Sequence, residues 1–226
     1  MEKYTEETDY TVIIGDIVGS KGLTNRKQVQ SGFRQILEEM NSKYAKDIAS
    51  KFTITLGDEF QGLLKRSDHA IRIILEIEKA MNPVKMRFGV GIGEISTAIN
   101  FEQSSEIDGP AYHRARAMGE YLEANENQHF RPAGNILISS KEENKEIDQL
   151  INSLLSVTSV LKLNWTSKQK EIIKNYHLAE ENQSKAAERL GIGQSSVSRA
   201  LSNANYATYQ SAMNTIHSFL ARKEAN

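Results

Sequence analysis

Apolar residues recur along the first hundred positions with two alternating rhythms. TVIIGD at 11–16 is an almost unbroken β-branched run, as expected of a central strand buried on both faces. Beyond a loop holding Gly19, Ser20 and Gly22, one helical stripe takes in Val29, Phe33, Ile36, Leu37, Met40 and Tyr44. Phe52, Ile54 and Leu56 then alternate with polar positions, and Phe60 to Leu64 supply a hairpin partner. Ser67 is placed to cap a second helix with Ala70, Ile71, Ile74, Ile77 and Met81 inward, which Asn82-Pro83 ends. Met86, Phe88, Val90 and Ile92 alternate with Gly89, Gly91 and Gly93, so one face of that strand admits another backbone or a ligand.

The order is β-α-β-β-α-β, a ferredoxin-like α+β arrangement. Right-handed crossovers put the first strand beside the third, antiparallel, in the sheet centre. Asp16 at the end of the first strand then lies near Asp58 and Glu59 at the tip of the hairpin. Carboxylates brought this close raise one another's pKa unless a cation compensates. Mg2+ or Mn2+ would suit oxygen ligands of this kind, with phosphate oxygens completing the shell. The loop IVGSKG adds Gly19, Ser20, Lys21 and backbone N–H groups suited to a polyphosphate. The plainer alternative is a strand-end Asp and a hairpin Asp, each bonding its own turn.

After residue 140 the pattern becomes helical throughout. Residues 141–164 carry Ile147, Leu150, Ile151, Leu154 and Leu155 at helical spacing, a helical linker. Thr166 caps a helix with Ile172, Ile173 and Tyr176 inward, and Ala186, Ala187 and Leu190 mark a second, short one. Gly191-Ile192-Gly193 forms a tight turn, and Val197 and Leu201 anchor a third helix, the pattern of a helix-turn-helix. That third helix offers Gln194, Ser195, Ser196, Ser198, Arg199 and Asn203, side chains suited to base edges and phosphates of double-stranded DNA. A three-helix module that binds protein is the alternative. A final helix from Tyr206 to Arg222 has Tyr209, Met213, Ile216 and Leu220 on one face, able to cover this unit or to dimerise.

Charge changes the picture only at the boundary. Residues 1–164 carry a net charge of −4 and residues 165–226 a net +3, which favours a polyanionic partner for the second part. There are no cysteines, which excludes a disulfide scaffold, a zinc ribbon and a thiol nucleophile, and fits a reducing cytoplasm. The first ten residues are polar and acidic, unlike a signal peptide, and no apolar run approaches the roughly 20 residues of a membrane span. Neither a P-loop nor a Ser-His-Asp set is visible. A soluble cytoplasmic protein with no membrane partner is expected.

GDIVGS, LGDEF, RFGVGIGEIS and DGPAYHRAR, in that order, resemble the catalytic domain of class III nucleotidyl cyclases and the related GGDEF domains. The whole chain resembles the SatD family, which joins such a domain to a C-terminal helix-turn-helix. The resemblance implies a cyclase-like domain at 8–140, the linker at 141–164 and a DNA-binding domain at 165–226. It implies Asp16 and Asp58, with the Ile17 carbonyl, as ligands of a metal pair, with Glu59 beside them. It sets Glu106 at the base-reading position, and His113 and Ala117 where cyclases keep an Asn and an Arg. Arg114 and Arg116 stand close to those positions, and the lysine that ATP-using cyclases place before the hairpin is here Ile54. A homodimer and a nucleoside triphosphate are implied as partners. Two functions follow: a DNA-binding regulator with a metal–nucleotide sensor domain, or an active nucleotidyl cyclase or nucleotide polymerase controlled by its helix-turn-helix.

Overall fold

A computed structural model describes residues 8–22, 25–55, 57–126, 128 and 133–222; the side chains of Lys21 and Arg222 lie outside that description. Five strands form one mixed sheet in the order β2-β3-β1-β4-β5. They are β1 (Tyr10–Ile17), β2 (Ile48–Ile54), β3 (Glu59–Leu64), β4 (Met86–Gly93) and β5 (Ile136–Ser139). The expected neighbours are there: β1 pairs antiparallel with β3 on one side and with β4 on the other. The sequence pattern missed β5, four residues long, which adds to β4 in parallel. It also missed the first half of β2, which begins at Ile48, ahead of the alternating stretch. The end of that stretch, Leu56, lies outside the described residues.

Side-chain alternation divides the sheet's surroundings. Ile13, Phe60, Phe88 and Val90 point into the large core with α1 (Arg26–Lys43) and α2 (Ala70–Met81). Phe33 of α1 and Phe60 meet edge to face at 5.5 Å. Val12, Ile14 and Leu63 point the other way, onto α3 (Pro110–Ala124), where Ala111, Tyr112 and Ala115 cover them. The glycines of β4 make that cover possible. A Cβ at Gly91 would stand 1.9 Å from the carbonyl oxygen of Ala111, and one at Gly89 would stand 2.0 Å from that of Ala115. The backbone admitted by the alternate glycines is therefore α3.

The C-terminal helices are α4 (Lys145–Leu163), α5 (Ser167–Leu178), α6 (Gln183–Leu190), α7 (Gln194–Asn203) and α8 (Tyr206–Arg222). Ile151 and Leu155 of α4 join the large core, while Leu150, expected on the same stripe, is exposed because it falls on the outer side of the helix. A second core gathers Ile172, Ile173, Ala186, Ala187, Val197, Leu201 and Tyr206. Thr166 closes a capping box with Gln169, as its sequence suggests. Ser67 does not cap α2. Its Oγ donates instead to the Leu220 carbonyl at 2.7 Å, which ties the start of α2 to the end of α8. Helix α8 spans both cores, with Tyr206 in the smaller, Met213, Ile216 and Leu220 in the larger, and Tyr209 against each.

Two expected outcomes follow from this packing. Gly91→Ala drives a methyl group into the α3 backbone, so its cost should reach the top of the about 1–3 kcal/mol usual for overpacking, read from urea midpoints. The second concerns acid. Partial desolvation lowers the pKa of the half-exposed His177 and of the half-buried His217, so the fold favours their neutral forms. The stability this contributes is complete above the unfolded value near 6.5 and is lost as pH falls through the lowered folded values. The Nε2 of His177 bonds the Tyr206 hydroxyl at 2.8 Å, and the single tryptophan, Trp165, packs against Tyr206 and Tyr209. Unfolding followed by Trp165 emission should lose midpoint as pH falls below the unfolded value near 6.5, and His177→Gln should flatten part of that loss.

Candidate functional site

The antiparallel register puts Asp16 of β1 directly between Glu59 of β3 and Arg87 of β4. The predicted convergence of acids at this sheet end is thus present in the backbone: the Ile17 N–H donates to the Asp58 carbonyl at 3.1 Å. On the other side of Asp16 from the hairpin acids lies a guanidinium. Arg87 Nε reaches both Asp16 oxygens, at 2.7 and 2.9 Å, and one terminal nitrogen lies 2.7 Å from Oδ2. The same guanidinium meets Glu126 at 3.0 Å and Glu123 at 3.1 Å, from the end of α3 and just beyond it. Its side chain is only 10% exposed.

The electrostatics follow from burial. Desolvation pushes the Asp16 carboxyl above its ordinary value; Arg87 pulls it back, and the charges of Glu123 and Asp58 raise it again. Burial would lower Arg87, but the hydrogen bonds and charges of Asp16, and then Glu123 and Glu126, hold it above its usual range. The arginine is therefore charged and committed. Arg87 is the residue that sequence reasoning missed at this site. Its signal was a lone cation in the alternating series Arg87, Gly89, Gly91, Gly93, which is otherwise glycine.

The remaining expected site residues have partners of their own. Asp58 accepts a short hydrogen bond from the buried Ser20 hydroxyl, and Glu59 accepts from Thr55 Oγ1 at 2.9 Å. Gly19 turns the chain with φ of +67°, and Lys21 lies in the following 3-10 turn, its side chain outside the description. Glu106 accepts from Asn100 at 2.7 Å. Arg116 approaches Glu59 at 3.9 Å. Arg114 does not join them. It donates to the Ile92 carbonyl at 3.0 Å, and Ile92 pairs with Thr11, five strand residues from Asp16 and so about 17 Å along the sheet. His113 stands exposed beside Asp108 at 3.0 Å, at the start of α3 and away from the Arg87 end. The sequence grouping of His113, Arg114 and Arg116 thus breaks up, because neighbours on a helix point in different directions.

A divalent ion does not fit the donors as they stand. Both oxygens of Asp16 are already bonded to Arg87, and Asp58 is bonded to Ser20. Among the described residues no group of three or more His, Asp or Glu is placed to hold a metal ion.

In the C-terminal helices, Gln194, Ser195, Ser196, Arg199 and Asn203 are exposed along α7, Ser198 is half-buried, and Val197 and Leu201 face the small core. Gly191 adopts a left-handed conformation (φ +63°) that closes α6. Among the described residues no helix is long and apolar enough to cross a membrane.

These features define an α+β protein with a mixed sheet and a wholly helical C-terminal portion. The chain belongs to the SatD family, whose model matches residues 10–220. No curated protein matches it in sequence. Among solved structures it is similar to a bacterial light-regulated adenylyl cyclase, at 18% identity over 58% of this chain and 76% of that one, with a TM-score of 0.42. The adenylyl cyclase CyaB from P. aeruginosa matches at 18% identity over 63% of this chain and 81% of that one, TM-score 0.42. The guanylyl cyclase Cya2 matches at 17% identity over 50% and 70%, TM-score 0.37.

Removing one partner of a buried ion pair strands the other, at about 3–5 kcal/mol. Arg87→Met should therefore destabilise by about 3 kcal/mol, the low end of that range, because Asp16 is partly open to water. Lys51→Met, which breaks the exposed pair with Glu102, should cost less than about 1 kcal/mol in the same urea titration.

Proposed function

We propose that this chain is a DNA-binding regulator of the SatD type, whose sheet domain is a cyclase-like sensor of a nucleotide. The observation that carries the reading is the outer face of α7. It exposes Gln194, Ser195, Ser196, Arg199 and Asn203 and contains no acidic residue. In this reading α6 and α7, joined through Gly191 to Gly193, form a helix-turn-helix, with α7 as the helix that enters the major groove. Arg199 offers a fork of donors for a guanine edge or a phosphate, and the short hydroxyl and amide side chains read base edges at close range. Helix α7 begins without a side-chain cap, which suits its N-terminus to a phosphate. The net +3 charge of residues 165–226 adds a general attraction to the polyanion.

The regulatory part of the reading rests on α8. That helix is shared by both cores, so a ligand that shifts the sheet domain would act on α7 through packed side chains rather than through a loose tether. The domains are then 8–140 for the sensor, 141–164 for the connecting helix and 165–226 for the DNA module, working as a homodimer in the cytoplasm. The nucleotide is assigned to the turn of Gly19, Ser20 and Lys21, with Glu106 toward the base. The alternative, an active cyclase or polymerase, needs Asp16 released from Arg87, and needs His113 and Ala117 to serve where an Asn and an Arg stand in cyclases.

Gel-shift measurements against genomic fragments test the first part. Arg199→Ala should weaken specific binding by roughly 1–3 kcal/mol, and the complex should loosen steeply with added salt. Failure to retain any fragment would remove the DNA assignment. For the sensor, incubation with each nucleoside triphosphate and Mg2+ or Mn2+ should release no pyrophosphate, while one nucleotide should change DNA affinity. Pyrophosphate release that disappears in Asp16→Ala would install the enzyme reading instead.

A further inference from the structure

The sheet end that gathers Asp16, Glu123 and Glu126 resolves its charge problem with an arginine. We propose that the guanidinium of Arg87 is the permanent counter-cation of this cluster, so that the sheet domain binds no divalent ion there. The inference does not depend on α7 reading DNA.

Geometry supplies three reasons. The first is lone pairs: both Asp16 oxygens accept from Arg87 between 2.7 and 2.9 Å, and a metal would compete for those same oxygens. The second is the arginine's own position. Nε and both terminal nitrogens are engaged, by Asp16, Glu123 and Glu126, and the side chain is nearly enclosed. Drawing Asp16 away to a metal would leave the guanidinium, which never loses its proton, with one carboxylate fewer. Third, the pairing is built into the backbone. Asp16 and Arg87 are Cα partners on adjacent strands, so the β1–β4 ladder keeps the two side chains within reach of one another.

The hairpin acids are each held through one carboxylate oxygen. Asp58 is bonded by Ser20, and Glu59 is bonded by Thr55 and approached by Arg116. Glu123 is two-thirds exposed, so water screens much of its charge. An arginine in this place gives the local compensation that a cation would, but it offers no Lewis-acid centre. It also has no vacant coordination position for a phosphate. The acids that suggest a metal pair in the sequence therefore act here as a structural clamp joining β1, β4 and the end of α3.

Mn2+ titration of the full chain without nucleotide, followed by electron paramagnetic resonance, tests this directly. The signal should remain that of the free aqua ion at millimolar Mn2+, and the thermal midpoint should not rise with Mg2+ or Mn2+. Arg87→Gln should free the carboxylates and bind Mn2+ roughly tenfold or more tightly than the wild type. Asp16→Asn should lower the thermal midpoint of the wild type but not that of Arg87→Gln, since the carboxylate is costly there only without its partner. Binding of Mn2+ by the wild type that is abolished in Asp16→Asn would overturn the proposal, as would an Arg87→Gln variant that folds and binds no better than the wild type. Should Arg87→Gln fail to fold, the wild-type titration alone decides.

Discussion

The close seating of α3 on β4 is the contact from which the rest of this sheet end follows. Two glycines, Gly89 and Gly91, let the helix backbone approach to a distance that any side chain would forbid. With α3 pressed down, Tyr112 meets Ser104 at 2.7 Å and closes the face over Val12, Ile14 and Leu63. The same approach brings Glu123 and Glu126 within reach of Arg87. A missing pair of Cβ atoms thus determines where charge collects more than fifteen residues further along the chain.

Charge at that end is managed by local satisfaction rather than by solvent. Arg87 is almost buried, and it is tolerated because each side of its planar fork meets a carboxylate oxygen. A buried ion pair of this kind adds little net stability compared with an apolar pair of equal volume, yet losing either partner is costly. The observed register of β1 against β4 sets Asp16 directly opposite Arg87.

The helical portion is joined to the sheet by shared side chains. Helix α8 contributes to both cores, Ser67 binds its last turn, and Lys162 of α4 pairs with Glu78 of α2. The α7 face is therefore presented from a packed support. Tyr209 packs against both cores.

The sequence by itself determined most of the elements and their order. The apolar run of β1, the alternation in β2 and β4, the stripes of α1, α2 and α8, the Thr166 cap and the Gly191 turn are local properties, legible because each depends on residues a few positions apart. It also implied that Asp16 and the hairpin acids would meet, since right-handed connections leave the strands little choice of order. Only the tertiary structure decided what compensates those acids. Arg87 lies 71 residues from Asp16 in the chain, and Glu123 and Glu126 lie further on still. Which cation a carboxylate meets depends on register, on helix approach and on which groups are dry, and none of these is a local property. For the same reason β5, Ser67 and the outward turn of Leu150 escaped the pattern: each owes its place to an element distant in sequence.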